Sequence, residues 1–147
     1  MVTGAARLRA QFDKVPTYVR DEVEAAIEKM CNEMVREMRA LAPLPDIAKA
    51  INWTWGDVPK GSLKIGSFGT REFGRLSATI YVANSEAFYA PWFEFGTKPR
   101  FHKSGKYSGQ IMAQPFFFPV LRANRRLFRG RVRAAVNRAV KRANQDR

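Results

Sequence analysis

The chain has 147 residues, with 26 lysines and arginines against 13 acidic residues and a formal net charge of +13. This length is typical of a single domain with its own hydrophobic core, and no run of about 18 apolar residues is present that could span a bilayer. The first residues lack the apolar segment of a secretory signal, so we expect a soluble protein, made in a cytoplasm and free of membrane contact. The single cysteine, Cys31, excludes an intramolecular disulfide and argues against a cysteine-based metal site.

The positive charge is concentrated near the C-terminus. Ten basic residues lie between Val120 and Arg147, where the only acidic residue is Asp146. A charge of this size attracts nucleic acid, an anionic membrane or an acidic protein surface, and charge alone does not choose among them.

The first regular element in chain order is a long helix. Between Thr17 and Leu41 apolar residues recur at spacings of three and four, which places them on one helical face. We assign this helix to residues 16–42. A shorter helical start is expected around Ala5–Phe12, and a short helix over Ile47–Asn52 after a proline-containing turn.

A small antiparallel sheet is predicted within residues 62–96. Leu63–Phe68 alternates apolar and polar residues in its first half, as does Leu76–Val82, and the glycines between them suit a hairpin-like connection. We interpret Phe88–Phe95 as a further strand or an extended edge.

The remainder of the chain is predicted to be a basic loop followed by a helix. Prolines and glycines give residues 97–113 the composition of a loop. Apolar residues at helical spacing predict a C-terminal helix over residues 115–144, which Gly130 weakens by about 1 kcal/mol relative to alanine. The expected fold is α+β in one domain of residues 1–147: a small antiparallel β-sheet packed against a long N-terminal helix and a long basic C-terminal helix, with an extended loop.

Residues suited to catalysis are hard to find in this sequence. The sole histidine, His102, has no acidic neighbour nearby in the sequence to orient it, and neither GxGxxG nor GxxxxGK[ST] is present to cradle a nucleotide phosphate. We therefore assign no catalytic, cofactor-binding or metal-binding residue and expect a protein that is not an enzyme.

Two aromatic blocks flank the basic loop, one around Trp92, Phe93 and Phe95 and the other at Phe116–Phe118. Aromatic side chains carry a large apolar area at small conformational cost, so these blocks either fill the core or form an oligomer interface. Three consecutive phenylalanines cannot all face one core from one regular element. We expect at least one of them to point towards a partner subunit or a second pocket.

The C-terminal arginines also have two interpretations. They form a solvated helix face that keeps the chain soluble, or they bind an anionic partner. On duplex DNA, arginines at successive helical turns would contact phosphates with little sequence readout. An acidic face on a neighbouring subunit would give the same charge pattern.

The order of these motifs resembles that of a known family. Tyr89–Thr97 reads YAPWFEFGT, Gln114–Leu121 reads QPFFFPVL after a variable basic loop, and Leu41–Pro43 ends the long helix. An EFGT-like turn followed by a proline-flanked aromatic segment and a helix resembles the tail-component family of lambda-like tailed bacteriophages. The resemblance extends from Val19 to Val140, although Leu44–Lys49 replaces the glycine-containing turn that is frequent in the family.

The resemblance implies a structural virion protein of the head–tail junction, described as a neck, tail-completion or tail-terminator component. Such proteins form homo-oligomeric rings, usually matched to the sixfold symmetry of the tail tube. The implied partners are the tail tube protein and a head-completion or connector protein, with possible contact to passing DNA. The implied localisation is the virion, after assembly in the host cytoplasm, and a domesticated phage-derived particle would have the same sequence features.

Site residues follow from this hypothesis as three groups. The subunit interface is expected at Trp92, Glu94, Phe95, Gly96, Thr97, Phe116, Phe117 and Phe118. In this interface Glu94 pairs with a basic residue and Gly96 permits a tight turn. The loop that reaches a neighbouring subunit or an adjoining ring carries Lys98, Arg100, His102, Lys103 and Lys106. The residues that face either the DNA-containing lumen or an acidic protein ring are Arg122, Arg125, Arg126, Arg129 and Arg133.

Two other classes of protein compete with this one. A non-sequence-specific DNA-binding protein, acting as a monomer or dimer, would lay the arginine-rich helix along the DNA backbone. The sequence contains no recognisable sequence-reading DNA-binding motif that would support this class. A nuclease would need a carboxylate or histidine cluster suited to a metal ion, which the sequence does not offer.

Overall fold

The computed structural model describes residues 17–68, 77–83 and 87–145. Its elements, in chain order, are helix α1 (Thr17–Leu41), helix α2 (Pro45–Ala50), strands β1 (Ile51–Trp55), β2 (Leu63–Phe68) and β3 (Ala78–Val82), helix α3 (Ala90–Phe95), strands β4 (Arg100–Phe101) and β5 (Tyr107–Gly109), and helix α4 (Phe118–Gln145). The α+β class, the two long helices and the small antiparallel sheet are confirmed. The helical start expected around Ala5–Phe12 and the connection between the second and third strands lie outside the described residues.

Helix α1 contributes the largest part of the core. Its apolar stripe is buried from Val19 to Met38, whereas Leu41 at the end of the helix is exposed. Met30, Met34 and Met38 are among the most deeply buried side chains of the described chain. Methionine is unbranched and adaptable, so a methionine row fills irregular gaps between a helix and a twisted sheet. The periodicity that predicted α1 therefore corresponds to its buried face.

Helix α4 packs antiparallel on α1. Arg142 near the end of α4 contacts Glu22 near the start of α1, Arg131 contacts Glu33, and Asn124 Nδ2 donates to Glu37 Oε2 at 2.9 Å. The residue numbers rise along one helix while they fall along the other, which defines the antiparallel arrangement. The apolar face of α4, including Val120, Phe128 and Ala135, is buried against the common core.

The main sheet has the strand order β1-β3-β2, and both pairings are antiparallel. On β3, Ile80 and Val82 are fully buried and lie opposite Trp53 and Ile51 of β1. Arg39 of α1 donates to the carbonyl oxygen of Ile51, through Nε at 3.1 Å and Nη2 at 2.7 Å, so a side chain satisfies this acceptor on the edge strand.

The structure corrects the prediction for the segment that follows α1. The short helix lies at Pro45–Ala50, and Ile51 and Asn52, which were assigned to it, begin β1. The sheet therefore starts well before residue 62. Alternation in Ile51–Trp55 places Trp53 and Trp55 on one face, where their rings meet edge to face with centroids 5.3 Å apart.

A second correction concerns Phe88–Phe95, which was interpreted as a strand or an extended edge. Residues Ala90–Phe95 form helix α3, with Pro91 in its first turn. Proline is tolerated there because the N–H that it lacks has no partner within the helix. The strand prediction rested on aromatic residues, whose β-propensity depends on packing rather than on an intrinsic backbone preference.

A third correction concerns the basic loop, part of which is a β-hairpin. Strands β4 and β5 pair antiparallel, and His102 N–H donates to the Lys106 carbonyl oxygen at 2.8 Å. Gly105, at the turn, has φ +82°, a conformation that favours glycine. Local sequence composition indicated a loop because the strands have only two and three residues.

In the described part of the chain, no helix is both long enough and apolar enough to cross a membrane.

Candidate assembly surface and arginine row

Glu94 lies at the junction of α3 and α4, where its carboxylate is buried. Its Oε2 accepts hydrogen bonds from the backbone N–H groups of Phe116 at 2.8 Å and Phe117 at 3.0 Å, and Oε1 accepts one from Phe118 at 3.0 Å. N–H groups at the start of a helix have no partner inside it, and the helix dipole favours a negative charge at this end. Glu94 thus caps α4 from outside that helix, and backbone donors take the place of the basic partner expected from the sequence.

Gly96 and Thr97 hold the two ends of the hairpin segment together. The Thr97 N–H donates to the Ile111 carbonyl oxygen at 2.8 Å, and the Ile111 N–H donates to Thr97 Oγ1 at 2.9 Å. Gly96 has φ +72°, and a Cβ there would lie 3.0 Å from the backbone nitrogen of Ala113. Glycine is required both for the backbone conformation and for this close approach, in agreement with the expected tight turn.

Phe116 and Phe117 are buried in the core of the protomer, with exposures of 1% and 0%. Their assignment to the subunit interface is therefore corrected, because neither side chain is available on the surface of this protomer. Phe118 is half-buried against the core, and its ring lies 5.7 Å from that of Phe95. Of the three consecutive phenylalanines, this is the one that reaches the surface.

Three aromatic side chains on and beside α3 form an exposed patch, which we call the aromatic surface: Phe88, Trp92 and Phe95. Their exposures are 59%, 43% and 69%. Phe88 and Trp92 meet edge to face with centroids 5.9 Å apart, and Phe95 lies one helical turn beyond Trp92. Contiguous apolar surface rimmed by polar residues is typical of a protein–protein contact. The prediction for Trp92 and Phe95 is thus compatible with their positions, whereas Phe88 was not among the predicted residues.

The five basic-loop residues that were singled out lie on the hairpin or, for Lys98, just before it, and each of them is exposed: Lys98, Arg100, His102, Lys103 and Lys106. On the same hairpin, Phe101 and Tyr107 form an exposed ring pair with centroids 5.6 Å apart. A two-stranded hairpin is at best marginally stable by itself, and here the cross-strand ring pair and the hydrogen bonds between Thr97 and Ile111 add to its backbone pairing. The pairing of two aromatic residues six positions apart was the signal that could have predicted this hairpin.

The arginines of α4 fall into two groups on opposite sides of the helix. Arg131 binds Glu33, while Arg138 and Arg142 both contact Glu22, so these three join α4 to α1. The second group, which we call the arginine row, comprises Arg122, Arg125, Arg126, Arg129 and Arg133, and all five are exposed. Among the described residues, no carboxylate lies within ion-pair distance of any member of the row.

The arginine row is a continuous stripe along α4. At 100° per residue its members fall within an arc of about 100°, centred on the side of the helix opposite the buried residues. At 1.5 Å per residue the distance from Arg122 to Arg133 is about 16 Å. One further contact is local, since Arg122 Nε donates to the Phe118 carbonyl oxygen at 3.3 Å.

Within the described residues, no group of three or more histidine, cysteine, aspartate or glutamate side chains is arranged to hold a metal ion. Cys31 is fully buried beside α1's methionines, and burial raises its thiol pKa to about 12. A thiol in this state is a core side chain rather than a nucleophile.

No protein-family model matches this chain, and no similar protein was found among curated sequences or solved structures.

Proposed function

We propose that the protein is a structural subunit of the head–tail junction of a tailed phage or a phage-derived particle. In this proposal copies of the chain form a ring, sixfold like the tail tube, that completes or terminates the tube and joins it to the head connector. The observation that carries the proposal is the aromatic surface, because Phe88, Trp92 and Phe95 lie exposed on a segment whose order of motifs resembles the tail-component family.

A closed ring requires a heterologous interface, in which one patch of a subunit meets a different patch of the next. The aromatic surface supplies an apolar patch, and hydrogen bonds hold the end of α3 that carries Phe95. Glu94 fixes the end of α3 to the start of α4, while Gly96 and Thr97 fix the same end to the base of the hairpin. A preorganised patch loses little conformational freedom on binding, which favours assembly.

The test is the mass of the purified protein by light scattering at low and high salt, with negative-stain electron microscopy of any large species. Closed rings are the expected result, with or without added tail tube protein as a template. Monomers under all of these conditions would contradict the proposal.

A double variant tests whether the subunits assemble through the aromatic surface. Trp92→Ser with Phe95→Ser is expected to give monomers, because it removes the two largest exposed aromatic contacts of α3 without touching the core. The matched control is Leu41→Ser, since Leu41 is an exposed apolar side chain at the end of α1. Rings that persist in the double variant would place the interface elsewhere.

The second candidate, a non-sequence-specific DNA-binding protein that acts as a monomer or dimer, is favoured by the arginine row. Tight, salt-sensitive DNA binding by a protein that never assembles would make it the leading function. In that case the aromatic surface would have to serve a different partner.

A further inference from the structure

We propose that the arginine row binds the phosphate backbone of duplex DNA, without reading its sequence. This inference goes beyond the ring and does not depend on it, because the row is complete within one protomer. It also chooses between the two partners that were considered for the C-terminal arginines, a nucleic acid and an acidic protein surface.

The first argument is the contrast between the two groups of arginines on α4. Where α1 presents carboxylates, the arginines are paired with them, as Arg131 is with Glu33 and Arg142 with Glu22. On the opposite side of the same helix, five exposed arginines have no such partner among the described residues. Like charges three and four residues apart on a helix repel one another, and an anionic partner would relieve this repulsion.

The second argument is the charge of the surrounding chain. From Gly96 to Gln145 the sequence has nine arginines and four lysines but no aspartate or glutamate. A positive surface is complementary to any acidic surface, but a protein face is rarely acidic over so long a stretch, whereas duplex DNA carries phosphates without interruption along its length. A surface with one sign only suits a uniform polyanion.

The third argument is chemical and geometric. The row consists of arginine alone, and the planar guanidinium fork matches phosphate oxygens with two parallel hydrogen bonds. A row of about 16 Å, laid along the DNA axis, spans about five phosphates of one strand at 3.4 Å each. Asn124, between Arg122 and Arg125 in the sequence, is turned into the protein, where its Nδ2 donates to the Val120 carbonyl oxygen at 3.0 Å. Arginine contacts that run along one strand fall on its phosphates, which carry no sequence information. The contacts therefore position the helix on DNA without specifying a sequence.

The test is binding of a fluorescent duplex of arbitrary sequence, followed by anisotropy at increasing potassium chloride. Five phosphate contacts predict a slope of log K against log salt of about −4.5. Arg125→Gln with Arg129→Gln should reduce the magnitude of the slope by about 1.8, since two contacts are lost. Arg125→Lys with Arg129→Lys should keep it, because each charge remains.

The matched control is Lys49→Gln with Lys60→Gln, which removes the same formal charge from two exposed residues remote in sequence from α4. This variant should leave the slope unchanged. An equal change in both double variants would mean that net charge, not the row, attracts DNA, and would overturn the proposal.

Competition distinguishes the two kinds of partner. Unlabelled duplex should displace the labelled duplex at a much lower charge concentration than poly-glutamate does. Equal competition by poly-glutamate, or no DNA binding by the unmodified protein, would overturn the proposal. The oligomeric state of each variant, measured in parallel, separates a failure of this inference from a failure of ring assembly.

Discussion

Glu94 is the residue whose role differs most from what its neighbours in the sequence suggest. It belongs to the last turn of α3, yet its carboxylate serves the start of α4, 22 residues away at Phe116. A carboxylate is disfavoured at the C-terminal end of a helix and favoured at the N-terminal end, so the second helix supplies the stabilising environment.

Removal of the Glu94 carboxylate should destabilise the protein strongly. Glu94→Ala leaves three backbone N–H groups without an acceptor and is expected to lower the free energy of unfolding by about 4 kcal/mol. Glu94→Gln keeps one acceptor oxygen and should cost about 2 kcal/mol. Urea denaturation followed by circular dichroism measures both, with the exposed Glu28→Gln as control, for which a change below about 0.5 kcal/mol is expected.

Cys31 should report on global unfolding. Because its thiol is buried and its pKa is raised to about 12, reaction with a thiol reagent at pH 8 requires the protein to open. We expect labelling at least about a thousandfold slower than in urea, in line with the small unfolded fraction of a typical domain. The added exposed thiol of Ser108→Cys should react at once, and equally fast labelling of Cys31 would mean that α1 opens locally.

Because Cys31 is buried, the stability of the protein should depend on pH in the alkaline range. Between pH 9.0 and about 12 the thiol ionises in the unfolded chain but stays protonated in the folded state. Its contribution to the free energy of unfolding is therefore present below pH 9.0 and is lost as the pH rises towards 12. Replacement by valine should remove this part of the pH dependence, which urea denaturation at pH 8 and pH 10.5 can measure.

At the scale of elements, α4 is a continuous helix that contains one residue of low helix propensity, Gly130. Gly130 is exposed, and a Cβ built there meets no atom within 4 Å. Gly130→Ala should therefore raise the free energy of unfolding by about 0.5–1 kcal/mol through the lower entropy of the unfolded chain. Ala134→Gly, also exposed on α4, is the reverse control and should lower it by a similar amount, as measured by thermal denaturation. A loss of stability in Gly130→Ala would imply an unseen contact at this turn.

The three errors in the predicted elements have a common physical cause. The helices α1 and α4 span many turns, so their periodicity is repeated often enough to be read from the sequence. Strand β1, helix α3 and each strand of the hairpin have six residues or fewer, and in so short a segment helix and strand patterns overlap. Tertiary contacts decide between them, for example the pairing of Trp53 with Ile80 and the packing of Tyr89 on Phe93.

At the scale of the whole molecule, ion pairs join the first and last described helices. Arg131 hydrogen-bonds to Glu33 and thereby holds the pKa of that carboxyl below its ordinary value of 4.5. A lowered folded pKa contributes stability above the unfolded pKa, and this contribution is lost as pH falls through the folded value.

The contribution of the Arg131–Glu33 pair to stability should be measurable by urea denaturation at acid pH. From pH 6 to pH 3 the urea midpoint of the unmodified protein should fall more than that of Glu33→Gln, and the two should converge at the acid end. The comparison variant Glu28→Gln, also on α1, should follow the unmodified protein. Parallel curves for Glu33→Gln and the unmodified protein would show that the pair adds nothing to stability, as is the case for many exposed ion pairs.

The sequence by itself determined the two long helices, the α+β class and the concentration of arginine near the C-terminus, because periodicity and composition are properties of neighbouring residues. Only the tertiary structure decided which side chains are available for contact. It buried Phe116 and Phe117 and left Phe95 exposed, it gave Glu94 its backbone donors, and it paired Arg142 with Glu22, 120 residues away. These outcomes depend on contacts between distant segments, and they divide a basic helix into one side whose arginines contact α1 and one side whose arginines are exposed.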